Sequence, residues 1–144
     1  MTKKFIRNTL DEIYNKGNVE LADKSYAPTF VLHDPVMPAL PVGPEAVKQY
    51  ARTMRAALPD LKLDVEDIIC EGNLAAVRFT AHGTQRGKFL GIAPTGKFGT
   101  VTGLDFFRLE NDRIVEAWVN WDVISMLQNI GIELPITIEH VAHV

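Results

Sequence analysis

Pro59 separates two hydrophobic periods in this chain, and that change of period limits the folds open to it. Before it, apolar residues recur at helical spacing. Ile6, Leu10, Ile13 and Tyr14 mark a helix over about residues 3–16, with Thr2 placed to cap it and Gly17 to end it. A second short helix is predicted from Asn18 to Tyr26, stopped by Pro28. Phe30 to His33 reads as a short strand. The proline-rich stretch Asp34–Gly43 reads as a loop. Pro44 suits a first helical turn. Val47, Tyr50, Ala51, Met54 and Leu58 then form a 3.6-residue stripe that Pro59 closes.

After Pro59 the period becomes two. Leu61, Leu63 and Val65 alternate with polar residues, and Glu71-Gly72-Asn73 is a turn signal. Ala75, Val77, Phe79 and Ala81 alternate next. A glycine-punctuated connection spans residues 83–99. Strands follow at Thr100–Leu109 and Ile114–Trp121, around the turn Glu110–Arg113. A last helix runs from about Val123 to Ile130, ended by Gly131. Strands joined by short turns pair antiparallel. Helices segregated from such strands make an α+β fold, with helices on one face of the sheet. No repeat or linker divides the chain, so residues 1–144 form one domain.

Composition excludes several classes. With 47% apolar and 23% charged residues the chain is ordinary globular material. Its charge, 15 − 18 = −3, lacks the basic footprint of a nucleic-acid binder. The single cysteine, Cys70, ends an apolar strand and reads as a small buried residue; it allows no internal disulfide and no cysteine metal cluster. No apolar run is long enough to span a membrane. The first residues carry Asp11 and Glu12 and read as a helix, not a signal peptide, so the expected compartment is a reducing cytoplasm.

The familiar catalytic motifs are missing. Gly91–Phe98 nearly matches a phosphate loop, but Phe98 stands where Ser or Thr should hold magnesium, and a strand follows instead of a helix. Ser25 and Ser125 sit in helical segments outside any G-x-S-x-G elbow. His140 and His143 have helical spacing but lie in the C-terminal tail, which makes them poor zinc ligands. No metal and no cofactor are expected.

Two positions hold possible acid/base chemistry, Asp122 and His33, and three more charged or polar residues, Arg78, His82 and Asp105, could support a site. Alternation places Ile114, Glu116, Trp118, Asn120 and Asp122 on one strand face. If that face lines a cavity, Asp122 becomes a carboxylate at an apolar rim, with a raised pKa fit for proton transfer. Asp122 also precedes a helix and could be its N-cap. His33 enters the proline loop and is either a proton-transfer group or a surface histidine. Arg78 and His82 share a strand face. Asp105 sits mid-strand, where a charge needs a partner, which makes Arg78–Asp105 a candidate pair for structure or for a site. Gly103 marks a bulge or a close approach by ligand.

A collinear set of segments carries a resemblance. It comprises Phe30–Pro35, Gly43-Pro44-Glu45, Ala57–Leu61, Val65-Glu66-Asp67, Glu71-Gly72-Asn73, Val77–Thr84, Gly91–Lys97, Gly103–Arg108 and Arg113–Trp118, with Asp122 four residues on. In this order the chain resembles the SnoaL-like polyketide cyclases, or ester cyclases, over about residues 5–131. The resemblance implies the cone-shaped fold of the nuclear-transport-factor-two-like superfamily, a strongly bent antiparallel sheet wrapped around N-terminal helices and enclosing an apolar pocket. It implies a homodimer or homotetramer built on the sheet's outer face. It also implies ring closure by aldol condensation without metal or cofactor, with Asp122 as acid/base and His33 in the pocket. Many such proteins carry His after the Gly-Thr pair, where this chain has Gln85.

The leading expectation is therefore a cofactor-independent acid/base enzyme acting on a small apolar carbonyl compound. Asp122 and His33 are its catalytic candidates. Arg78, His82, Asp105, Trp118, Phe106 and Trp121 are its ligand-binding candidates, with Phe79 as a further wall. The alternative is a non-catalytic domain of the same fold that binds a small hydrophobic ligand.

Overall fold

The computed structural model describes residues 3–37 and 39–135. Thr2 and the two tail histidines, His140 and His143, lie outside the described residues. Helix α1 (Lys3–Leu10) buries Ile6, Thr9 and Leu10, and a wider π-type turn over Asp11–Asn15 carries it on to bury Ile13. Gly17, at φ +73°, ends it as expected. Residues Asn18–Tyr26 are less regular than the helix expected there. A 3₁₀ turn (Val19–Leu21) leads into one helical turn, α2 (Ala22–Ser25), and Tyr26 already begins β1 (Tyr26–His33). Helix α3 (Pro44–Ala57) opens on its proline and buries Val47, Tyr50 and Ala51 of the predicted stripe, with Met54 half-buried and Leu58 buried just past its end.

Strands β2 (Lys62–Glu71), β3 (Leu74–Thr84), β4 (Phe98–Glu110) and β5 (Arg113–Trp121) follow, then α4 (Val123–Asn129). The sheet order is β1-β5-β4-β3-β2. Four strands pair antiparallel as their turns dictate. The β4–β5 turn uses Asn111 and Asp112, both at positive φ (48° and 63°), the geometry that matches strand twist in a tight hairpin. β1 departs from the expectation: it runs parallel to β5, with His33 opposite Trp118. The sheet is mixed and open. No turn links those two strands, so local sequence held no signal for their direction.

The helices cover the inner face. Asn15 clamps the π-type turn to β2, its side chain donating to Leu63 O (2.9 Å) and accepting from Leu63 N (2.6 Å). Arg55 of α3 donates to the carbonyls of Tyr14 and Asn15. One apolar cluster gathers Ile6, Leu10, Ile13, Phe30, Val47, Val77, Phe107 and Ile114. A second gathers Leu58, Phe79, Phe89, Val101, Met126 and Ile130 at the other end of the sheet. Cys70 is exposed, contrary to expectation. It stands on edge strand β2, where Ile68 is the one buried residue. Among the described residues no helix is long and apolar enough to cross a membrane.

Candidate functional site

Between the two apolar clusters lies a hollow of about 90 Å³. Helices α1 and α3, strands β1 to β5, α4 and the β3–β4 connection all contribute to its wall. Nearly all of that wall is apolar. The exceptions are Asp105 and three phenols, Tyr14, Tyr26 and Tyr50.

Asp105 points inward because β4 alternates strictly here, with Val101, Asp105 and Phe107 buried and Leu104 and Phe106 exposed. Burial pushes its carboxyl up to about 7, and the negative charge of Asp34 adds to the shift. No cation or hydrogen-bond donor among the described residues offsets these two effects. Burial likewise pushes the phenols of Tyr14, Tyr26 and Tyr50 up, with the charge of Asp105 contributing to each, so all three stay protonated. Asp34, 4% exposed, sits behind Tyr50. It accepts from Tyr50 Oη (2.8 Å), Val36 N (2.8 Å) and Trp121 Nε1 (3.4 Å). Tyr50 therefore spends its proton on Asp34 and offers only lone pairs to the hollow.

The sequence candidates scatter over two faces. Trp121 and Phe79 line the hollow with Asp105. Trp118 and Phe106 face outward, in edge contact at 5.9 Å. His33 stacks on Trp118 (5.3 Å) and its Nε2 lies 2.7 Å from Glu116 Oε2, also on the outer face. Arg78 does not pair with Asp105. Its register partner on β4 is Leu104, so it faces the opposite side and binds Asp67 at 2.7–2.8 Å. His82 lies 3.8 Å from Asp64 and 5.4 Å from the Phe98 ring, again outside.

Asp122 turns away from the hollow. It is exposed and caps α4, accepting from Ser125 N (3.0 Å) and Ser125 Oγ (2.5 Å). Those bonds hold its carboxyl below its ordinary value, the reverse of the rise expected at an apolar rim. The residues of β5 that reach the hollow are Ala117, Val119 and Trp121, the opposite parity from the face expected. A register shift beside Leu109 lets Ile114 turn inward out of phase with Glu116 and Trp118. Replacing Asp122 with Ala should cost about 0.5–2 kcal/mol as a lost cap. Because the folded pKa is lowered, its contribution is present at neutral pH and fades as pH falls through that value. Urea unfolding at neutral and acid pH measures both.

Sequence reading missed Asp34, Tyr14, Tyr26 and Tyr50. Tyr14 and Tyr50 sat in helical stripes and read as core, since periodicity cannot tell a hydroxyl facing a hollow from one packed in a core. Gly103 marks a close approach, but by protein: a Cβ there would lie 2.4 Å from Phe79 Cζ and 2.8 Å from Trp121 Cβ.

Known proteins share this fold. TsrD of Streptomyces laurentii superposes with a TM-score of 0.81 at 25% identity, over 91% of this chain and 98% of its own. IdmH of Streptomyces antibioticus gives 0.76 at 32% identity, over 90% and 97%. A SnoaL-like polyketide cyclase of Agrobacterium tumefaciens gives 0.73 at 16% identity, over 88% and 95%, a likeness of fold alone. No curated protein sequence matches the chain. The sequence model of the SnoaL-like polyketide cyclases matches residues 4–130. With that match spanning nearly every element of the fold, the chain belongs to the SnoaL-like polyketide cyclase family.

Proposed function

We propose that this protein is a cofactor-independent acid/base enzyme for a small apolar carbonyl compound, and that Asp105 moves the proton. The observation that carries this reading is a carboxyl pushed up to about 7 inside an apolar hollow, with no counter-charge among the described residues. A group that titrates near the working pH serves as both base and acid. As carboxylate, Asp105 takes a proton alpha to the carbonyl. The Tyr14 and Tyr26 hydroxyls, kept protonated, donate to the oxygen where charge develops. The protonated Asp105 then returns its proton to the new alkoxide in an aldol closure, or to a second carbon in an isomerisation.

The two buried carboxyls differ in their hydrogen-bond partners, and that difference assigns their roles. Asp34 holds three donors and acts on Asp105 through its charge, while Asp105 holds none and is free to exchange. The test is the pH–rate profile on a carbonyl substrate: a group near neutrality should vanish in Asp105→Asn and persist in Asp122→Asn. The opposite pattern would move the chemistry to the α4 cap. Binding without turnover in the unaltered protein would leave a ligand-binding domain.

The outer face of the sheet suits a second copy of this chain. One row crosses all five strands as His33, Trp118, Phe106, Ala76 and Ile69. Ile69 is 68% and Phe106 41% exposed, with Leu104 at 59% beside them. The charges flanking that row are paired within the chain, Arg108 with Glu116 and Arg78 with Asp67. Two such faces can meet without net repulsion. Sedimentation velocity should show a dimer that Phe106→Glu converts to a folded monomer. A monomeric unaltered protein would refute it.

A further inference from the structure

The hollow is too small as it stands. Ligand sites usually span roughly 300–1,000 Å³, against about 90 Å³ here. If it takes a ligand, some part of its wall moves. Nearly every lining residue is fixed on a helix or strand. Leu58 and Leu61 sit in a tight turn closed by Leu61 N donating to Leu58 O (2.9 Å). Phe89 is the lining residue carried on a long connection, between β3 and β4.

Backbone bonds anchor the two ends of that connection, Arg86 N and Gly87 N to Ala57 O and Gln85 to Gly96 and Lys97, and one side chain holds the segment between them. Most of its residues from Arg86 to Lys97 are exposed, whereas Phe89 is 4% exposed. Phe89 bridges to Ile92 across Leu90 and Gly91, both at positive φ, and its ring lies 6.0 Å from that of Trp121. Gln85 is fully buried and uses its whole amide on the returning half of the loop. Its Nε2 donates to Ile92 O (3.1 Å) and Ala93 O (3.2 Å), and its Oε1 accepts from Thr95 N (3.1 Å) and Thr95 Oγ1 (2.7 Å). The groups it holds belong to Ile92, Ala93 and Thr95, which lie at or near the surface. On opening, water can take over each of those bonds.

We propose that Gln85 is a positioning residue: it latches the segment from Phe89 to Thr95 as a lid, so that Phe89 closes the hollow against Trp121 and is the wall that yields to a ligand. This rests on the reading of the hollow as a ligand site. Histidine at this position has two ring nitrogens and cannot make the four contacts of the amide.

The chain has two tryptophans, so Trp118→Phe leaves Trp121 as the sole reporter beneath the lid. In that background Gln85→Ala should raise acrylamide quenching of Trp121. It should also speed uptake and release of the neutral dye Nile red roughly tenfold, the factor for about one net hydrogen bond lost. A folded variant with unchanged quenching overturns the proposal. Gln85→Glu covers the case in which the alanine variant does not fold. A protonated carboxyl there keeps a donor for Ile92 O or Ala93 O, and an ionised one repels both carbonyls. Quenching should then rise reversibly with pH beyond any change in the Trp118→Phe parent, where Asp105 titrates. The other charged groups facing the loop are Arg86, Lys88 and Lys97 on the loop itself and Asp60, whose carboxyl the Thr84 backbone and hydroxyl hold below its ordinary value. A profile equal to the parent's overturns the latch. Failure of Nile red to bind either protein would sink the ligand-site reading, while Trp121 quenching would still decide the lid.

Discussion

Asp105→Asn should cut turnover about 10²–10⁴-fold while leaving the protein more stable at mildly alkaline pH. Both results come from the same environment. Loss of a positioned acid/base group typically costs about 10²–10⁴-fold in rate. The stability gain follows from linkage. The Asp105 carboxyl is raised from 3.8 to about 7 on folding. Between those values the folded protein holds a proton that the unfolded chain releases. Stability therefore falls as pH rises through that window, and stays lower above it. An amide has no charge to bury, so the variant escapes the loss. At roughly pH 8 it should exceed the unaltered protein by a few kcal/mol, and near pH 4 the two should agree within about 1 kcal/mol. Urea unfolding across this range reads the effect without any substrate. Parallel pH–stability curves for the two proteins would show that Asp105 is ionised in the fold, and the proton-transfer assignment would fall with it.

Much of the fold was legible because it rests on local rules. The period change at Pro59, the helix stop at Gly17 and the Glu110–Arg113 turn each act within a few residues. The parallel pairing of β1 with β5 did not, since it joins Val31 to Glu116 across the length of the chain. The site was legible only in part for a related reason. Asp105 stood out as a mid-strand charge, but the expected remedy was a partner, Arg78. β3 turns Arg78 outward to Asp67, and Asp105 stays unpaired because the inner face is lined, not filled. Asp122 illustrates the reverse case. Its two readings, cap and proton carrier, depended on which β5 parity faced inward, and a register shift beside Leu109 decided that. Alternation fixes which residues share a face. It does not fix which face is inside once both carry aromatic residues, as Trp118 and Trp121 do here.

Gly103→Ala should close the hollow. Gly103 lies between Phe79 and Trp121 on the neighbouring strands, with ordinary strand partners on both sides. A Cβ would stand 2.4 Å from Phe79 Cζ and 2.8 Å from Trp121 Cβ, too close for either to remain. Trp121 is tied through Nε1 to Asp34 (3.4 Å), whereas the Phe79 ring borders open space. The ring is the part free to swing, and it swings into the hollow. Replacing glycine with alanine removes unfolded-state freedom worth about 0.4–1 kcal/mol, but overpacking costs about 1–3 kcal/mol, so net destabilisation wins. Nile red affinity should drop roughly tenfold or more, as the space for it disappears. Phe79→Ala alone should cost about 3–5 kcal/mol. Combined with Gly103→Ala it removes the clash with the ring and leaves only the 2.8 Å approach to Trp121 Cβ, so the double variant should be more stable than the sum of the two by about 0.5–3 kcal/mol. It should also recover dye binding. Undiminished binding in Gly103→Ala would place the dye elsewhere on the protein and remove the hollow as the site of chemistry.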